Sequence, residues 1–217
     1  MGCSEHVKCI AAVVAGSLSL QVWATPTSPT RPLSHDAAAV LEWLVRARDN
    51  HDLPFMIIDK RLAHLWVFDR SARLQGDAPV LLGMALGDHT APGVGDKELS
   101  QIAFDDRTTP AGRFVAEAGM NARGEDVVWI DYDSGVSMHR VITANAMERR
   151  AERLATPTPD DNRVSFGCIN VPKVFYEATM SATVKGGKSV VYILPDSLPV
   201  QSVFSHLGAA AATIPRY

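Results

Sequence analysis

The chain contains little cysteine, with only Cys3, Cys9 and Cys168 among its 217 residues. So few thiols cannot form the framework of paired disulfides that holds small secreted domains together. The chain also lacks an excess of either charge: its formal net charge of −3 is unlike the strongly basic surface of a nucleic-acid-binding protein, and we predict no such partner. Hydrophobic residues make up 47% of the chain, which is enough for a core that needs no structural metal.

An uncharged apolar run occupies residues 9–23, between Lys8 and Ala24. It is shorter than the roughly 20 residues that a membrane-spanning helix needs, so a membrane anchor is the weaker interpretation. The compact residues Val22 and Ala24 suit the −3 and −1 positions of a cleavage site. The pattern predicts a secretory signal peptide over residues 1–24, a periplasmic or extracellular protein, and no stable membrane insertion after cleavage.

Cleavage of this signal would remove Cys3 and Cys9 and leave Cys168 as the sole thiol of the mature protein. A lone cysteine in an exported protein is inert core filling, half of an intermolecular disulfide, or a reactive group. The residues around Cys168 decide among these.

The rest of the chain divides by composition and periodicity. A Pro-, Ser- and Thr-rich lead-in is followed by apolar residues at helical spacing behind Asp36, a candidate helix cap, and then by short β-rich runs. In chain order we predict a linker over residues 25–35, an N-terminal helix over 36–53, a β-rich domain over 54–196 and a C-terminal tail over 197–217.

Short β-rich runs at close spacing dominate the predicted domain. They cover residues 55–60, 62–69, 79–88, 112–119, 126–133, 136–143 and 188–195, and a helical insert covers 145–155. Strands this short, with few helical stretches between them, predict a mainly β fold: an antiparallel β-sandwich or barrel with an N-terminal helix and a short helical insert.

Two residues in this β-rich region could support nucleophilic catalysis. Gly167 precedes Cys168, and a glycine there lets the backbone bend so that amides can point at a reacting carbonyl. His139, near the end of a predicted strand, could take the thiol proton and later return it to a leaving amine. Taken singly, a cysteine and a histidine also fit ordinary core or surface positions.

Three segments in order resemble the signature of the L,D-transpeptidases with a YkuD-type catalytic domain. They are TPAGRF at 109–114, His139, and SFGCIN at 165–170. The resemblance extends over about Phe55 to Pro195, and it implies a mainly β, exported cell-wall enzyme that needs no cofactor. In that family the cysteine attacks the bond between the L-centre of a diamino acid and D-alanine in a peptidoglycan tetrapeptide stem. D-Alanine leaves, a thioester remains, and the amine of a second stem resolves it as a 3→3 cross-link.

The resemblance assigns roles residue by residue. Cys168 is the expected nucleophile and His139 the expected base, and the amides of Gly167 and Cys168 are candidate oxyanion donors. Asn170 matches a family Arg/Asn position and, with Ser165, is expected to support the site. Expected partners are peptidoglycan stem peptides and carbapenem-type inhibitors, in a role in wall biogenesis and cell shape.

Three further positions carry expectations or departures from the family pattern. Arg140 follows the histidine where many members have glycine, and Phe166 stands where many have a second histidine; both are candidate substrate-binding residues. On a strand, Arg140 should point to the face opposite His139. Ser137 shares the face of His139 and could orient the imidazole, a task that a backbone carbonyl could perform equally well.

Residues 144–163 form an insert between the histidine and the cysteine. Its arginines at 149, 150, 153 and 163 are either a lid that holds substrate carboxylates or a solvated charged surface. His64 and His89 lack metal-ligand spacing, so we predict no metal. Two other functions stay open at this point: an L,D-carboxypeptidase or hydrolase that uses water as acceptor, and a non-catalytic wall-binding module.

Overall fold

The structure is a computed structural model that describes residues 28–184 and 187–207. The predicted signal peptide lies outside these residues, as do parts of the predicted linker and tail. The strands are β1 (Phe55–Asp59), β2 (His64–Phe68), β3 (Leu74–Pro79), β4 (Leu82–Gly83), β5 (Gly112–Met120), β6 (Asp126–Asp131), β7 (Val136–Arg140), β8 (Arg163–Ser165), β9 (Ile169–Val171) and β10 (Lys188–Leu194).

Short helices connect and cover these strands. They are α1 (His35–Ala47), α2 (Arg150–Ala155), α3 (Lys173–Phe175), α4 (Ser181–Val184) and α5 (Val200–Val203), with a π-helical turn over Tyr176–Met180. Single 3₁₀ turns lie at Val94–Asp96, Leu99–Gln101, Phe104–Asp106 and Ala146–Glu148. None of the helices in the described part of the chain has the length and apolar character needed to cross a bilayer.

Eight strands form one mixed sheet in the order β3-β2-β1-β10-β5-β6-β7-β9, and β4 pairs with β8 in a separate ladder. Most neighbours in the large sheet are antiparallel, whereas β1 and β10, and β7 and β9, run parallel. The mainly β fold class predicted from the sequence is confirmed. The parallel pairs bring together segments that are distant in sequence.

Both faces of the central strands are covered. On one face the hydrophobic core contains Met56 and Ile58; on the other, Phe55 and Ile57 pack with helix α1. All five residues of β1 are therefore buried, which explains why its first four residues are apolar without alternation.

Helix α1 begins one residue before the predicted start and ends at Ala47, although the prediction continued to residue 53. Its N-cap is Ser34, whose hydroxyl accepts a hydrogen bond from the Ala37 amide at 3.0 Å, while Asp36 lies in the first turn. The helix stops because Arg48 adopts a left-handed backbone with φ of 52°.

A buried ionic cluster joins the β1–β2 hairpin to the loop before β5. Lys60, which is 1% exposed, donates from Nζ to Asp88 Oδ1 at 2.9 Å and to the Thr109 carbonyl at 2.7 Å. Its Nζ also lies 3.3 Å from Asp196 Oδ2, and Arg163 pairs with the same Asp196 carboxylate. The cluster therefore ties residues at the end of β10 to the turn around Thr109.

The cluster gives the protein an expected sensitivity to acid. Although burial opposes it, the Lys60 ammonium and the amides of Asp196, Leu198 and Ser197 lower the pKa of Asp88 from 3.8 to about 2. The folded-state pKa lies below the unfolded one, so this stabilisation is present above about pH 4 and is lost as the pH falls towards 2. The shift corresponds to about 2 kcal/mol.

We therefore expect Asp88→Asn to lower the free energy of unfolding at pH 7 and to flatten its decline between about pH 4 and pH 2. Urea unfolding of both proteins at pH 7 and at pH 3 measures the difference. If the free energy of unfolding of the variant fell between pH 7 and pH 3 as steeply as that of the wild type, this role for Asp88 would be contradicted.

Candidate active site

Parallel strands β7 and β9 bring His139 and Cys168 together. In their register Met138 is opposite Ile169 and His139 is opposite Asn170, and Cys168 directly precedes β9. The imidazole lies close enough to the thiol for each side chain to shift the pKa of the other. His139 Nδ1 lies 2.7 Å from the Arg140 carbonyl oxygen, which can only accept, so Nδ1 carries a proton and Nε2 is the nitrogen left for the sulfur.

The contact changes the pKa of both groups in the directions that favour an ion pair. Burial alone would raise the pKa of Cys168, but the hydrogen bond from His139, the Ser137 amide and the imidazole charge lower it below its usual value. Burial alone would lower the pKa of His139, but the hydrogen bond and charge of Cys168, together with the Arg140 carbonyl, raise it. A thiolate beside an imidazolium is the nucleophilic form of such a pair.

Residues of β7 and the turn before it also contact the sulfur. Ser137 Oγ lies 3.7 Å from Cys168 Sγ, and the Gly135 carbonyl oxygen lies 3.5 Å from it. Ser137 therefore faces the thiol, and the backbone carbonyl of Arg140 holds the imidazole. Of the two ways to orient His139 that the sequence left open, the structure has the backbone one.

The turn before the cysteine is held by Ser165. Its hydroxyl donates to the Cys168 carbonyl at 2.6 Å and accepts from the Gly167 amide at 3.1 Å. Gly167 has φ of +129°, and a Cβ on it would lie 2.8 Å from the Thr108 carbonyl oxygen. Only glycine suits this position. The Gly167 amide could serve an oxyanion only by giving up Ser165.

Thr109, from the TPAGRF segment, contacts the same turn. It is fully buried, and its hydroxyl lies 2.8 Å from both the Gly83 amide and the Gly167 carbonyl oxygen. The sequence indicated the segment through its resemblance but did not indicate this contact, which joins residues 58 positions apart.

Asn170 is fully buried and binds the insert. Its Oδ1 accepts from Arg150 Nη1 at 2.6 Å, and its Nδ2 has no hydrogen-bond partner among residues 28–184 and 187–207. Arg150 also opposes protonation of His139 by its charge.

The other three arginines of the insert bind elsewhere. Arg149 pairs with Glu152, Arg153 donates to the carbonyls of Glu148 and Asp161, and Arg163 pairs with Asp196. Of the four, Arg150 is the one bonded to a predicted site residue.

The two predicted substrate-binding residues have partners within the protein. Arg140 binds Asp126 at 2.8 Å and Glu177 at 3.2 Å, and its guanidinium carbon lies 4.3 Å from the centre of the Tyr176 ring. Phe166 is half-buried, with the guanidinium of Arg107 4.3 Å from its ring centre.

A cleft of about 440 Å³ borders His139. Its lining carries charges of both signs, and includes Arg140 and Lys173 as well as Glu125 and Glu177. In the described ranges no cluster of three or more His, Cys, Asp or Glu side chains is arranged to hold a metal.

No protein-family model matches the chain, and no curated protein gives a match. Several solved structures are similar to it. The helical cell shape determining protein Pgp2 from Campylobacter jejuni is 16% identical with a TM-score of 0.44, over 67% of this chain and 49% of that one. This chain thus spans about half the length of Pgp2.

Two L,D-transpeptidases are also similar. The enzyme from Xylanimonas cellulosilytica is 15% identical with a TM-score of 0.38, over 65% of this chain and 60% of that one. The catalytic domain of the E. faecium enzyme is 16% identical with a TM-score of 0.35, over 66% of this chain and 98% of that one. At such identities the chemistry has to be derived from the side chains of this chain.

Proposed function

We propose that the chain is an exported cysteine L,D-transpeptidase that acts on peptidoglycan stem peptides. It would form 3→3 cross-links or attach another amine acceptor through a thioester on Cys168. The observation that carries the proposal is the placement of His139 beside Cys168 by the β7–β9 pairing, with the pKa values of both groups shifted towards thiolate and imidazolium. The order of the three motif segments supports the substrate class.

In the first half-reaction the Cys168 thiolate attacks the carbonyl carbon of the peptide bond that precedes the terminal D-alanine. The C–S bond forms, the carbonyl oxygen becomes an oxyanion, and the Cys168 amide is the candidate donor to it. The intermediate collapses as His139 gives its proton to the leaving nitrogen. D-Alanine departs with that proton, and a thioester remains.

In the second half-reaction the amine of an acceptor attacks the thioester carbonyl. Neutral His139 takes a proton from the attacking nitrogen, an amide bond forms, and the C–S bond breaks to return Cys168 as thiolate. The cleft beside His139, with its ammonium, guanidinium and carboxylate groups, suits a stem peptide because such peptides carry both ammonium and carboxylate groups.

Hydrolysis is a second candidate because the thioester is common to both reactions. Cys168 is half-buried rather than sealed, so water can reach the bond. A non-catalytic wall-binding module has less support, since binding alone gives no reason to lower the pKa of a thiol.

Stem peptides decide between these functions. We expect the purified chain, incubated with disaccharide tetrapeptides, to give a cross-linked dimer that has lost one D-alanine, detected by mass spectrometry. Cys168→Ala is the matched control and should give none. Tripeptides alone would favour the hydrolase, and the absence of both products and of any carbapenem adduct would contradict acyl transfer.

A further inference from the structure

The Thr109 hydroxyl has one possible direction for its proton. A threonine hydroxyl carries one proton and can also accept. The Gly83 amide donates to Thr109 Oγ1 at 2.8 Å, so the hydroxyl proton is left for the Gly167 carbonyl oxygen, also at 2.8 Å. The Gly167 carbonyl is therefore held towards the buried threonine.

This hydrogen bond sets the direction of the nucleophile's own amide. The Gly167 carbonyl and the Cys168 amide belong to one peptide unit, which is planar, so in the trans form its C=O and N–H point in opposite directions. With the carbonyl anchored on Thr109, the Cys168 N–H points away from the buried threonine. The Gly167 amide is occupied by Ser165, so the Cys168 amide is the one left for an oxyanion.

Thr109 is itself held firmly on both sides. Its carbonyl accepts from the buried Lys60 ammonium at 2.7 Å. Strand β4 lies so close that a Cβ on Gly83 would be 2.7 Å from the Thr109 nitrogen and 2.4 Å from the Arg107 carbonyl oxygen. A donor anchored in this way can be preorganised, which makes an oxyanion hole effective.

We propose that Thr109 is a positioning residue for the oxyanion hole: its hydroxyl, through the Gly167 carbonyl, aims the Cys168 amide at the oxyanion. This inference deepens the proposed acyl transfer and rests on it. Thr109 does not touch the reacting atoms; it acts through one peptide plane.

Two reactions of the same thiol separate this role from general support of the site. With p-nitrophenyl acetate, the thiolate attacks the acetyl carbonyl, a C–S bond forms, p-nitrophenolate leaves, and an oxyanion develops on the way. With iodoacetamide, the thiolate attacks a saturated carbon, iodide leaves, and no oxyanion forms. Both reactions need the thiolate that His139 favours, and only the first needs the amide donor.

We expect Thr109→Val to slow acylation by p-nitrophenyl acetate about 10- to 100-fold, below the loss for outright removal of an oxyanion donor. Alkylation by iodoacetamide should stay within about twofold. Thr109→Ser keeps the hydroxyl and should restore acylation. Thr108→Val is the matched control, because it also removes a hydroxyl from this segment. The Thr108 hydroxyl donates to the His89 carbonyl at 2.6 Å and not to Gly167.

Equal losses in the two reactions, or unchanged acylation in Thr109→Val, would overturn the proposal. If Thr109→Val does not fold, Thr109→Ala tests the same loss without the added methyl group. If neither Thr109→Val nor Thr109→Ala folds while Thr109→Ser does, the hydroxyl is needed for folding, and this outcome also overturns the proposal. If the wild-type protein reacts with the ester but not with stem peptides, the proposed substrate class is wrong. The comparison of ester acylation with alkylation still tests the role of Thr109 in that case.

Discussion

Cys168→Ala is expected to reduce acyl transfer to the uncatalysed background, a loss on the order of a million-fold, because removal of a nucleophile removes the covalent route itself. Intact-mass analysis with a carbapenem and stem peptides should show no adduct, and peptide mapping of the wild type should place the adduct on residue 168. Besides its interaction with His139, the thiol has long contacts with Gly135 at 3.5 Å and with Ser137 at 3.7 Å, so the melting temperature should change by a few degrees at most.

In the full-length chain, before any cleavage of the predicted signal peptide, the other two cysteines provide the matched control. A Cys3→Ala, Cys9→Ala double variant keeps the proposed nucleophile and should form the same adduct as the wild type. Acyl transfer that persists in Cys168→Ala, or an adduct mapped to Cys3 or Cys9, would show that the nucleophile is misassigned.

His139→Ala is expected to slow acylation at neutral pH by about 10²- to 10⁴-fold, the usual contribution of a general acid–base group. The pKa of the Cys168 thiol should change as well. Since the hydrogen bond and charge of His139 lower the pKa of Cys168, their loss should raise it. Alkylation by iodoacetamide, followed from about pH 5 to pH 10, should then start at a higher pH in the variant.

The pH profile of acylation follows from the same pair. Thiolate forms as the pH rises through the lowered pKa of Cys168, and the proton for the leaving amine is lost as the pH rises through the raised pKa of His139. The wild type should give a bell-shaped profile whose two apparent pKa values belong to the pair. The variant should lose the falling limb.

His64 supplies a buried histidine outside the site as control. Its Nε2 lies 2.7 Å from Asp77 Oδ2, on strands β2 and β3. His64→Gln should lower thermal stability and leave the pH profile of the folded protein unchanged. An unchanged alkylation profile in His139→Ala would remove His139 from the mechanism.

Much of the sheet could be predicted from local pattern. Apolar runs and alternation indicated the segments of β1, β2, β5, β6, β7 and β10. A strand buried on one face alternates apolar and polar residues, and a strand buried on both faces is a continuous apolar run. Strand β3 was not predicted from the sequence, because it contains Gly76 and the buried Asp77. Asp77 is satisfied by His64 and by Thr30, partners that no local window includes. Residues 79–88, predicted as one strand, contain only Pro79, the last residue of β3, and the two residues of β4.

The candidate site also has residues that the sequence predicted and contacts that it did not predict. Residue chemistry and order indicated Cys168 and His139. Strand alternation predicted opposite faces for His139 and Arg140, yet both residues line the same cleft. The contact between Arg150 and Asn170 and the contact between Thr109 and Gly167 link residues 20 and 58 positions apart. Such pairs depend on how strands are arranged in the sheet, and a single sequence does not record that arrangement.

The parallel pairing of β7 with β9 has a consequence for how such a protein can diversify. Parallel neighbours need a long crossover, here the stretch between Arg140 and Ile169, and the ladder sets which residues of β7 and β9 are opposite each other. Insertions or deletions within residues 144–163 can therefore change the surroundings of Asn170, which Arg150 of that segment contacts, while the pairing that places His139 beside Cys168 is kept.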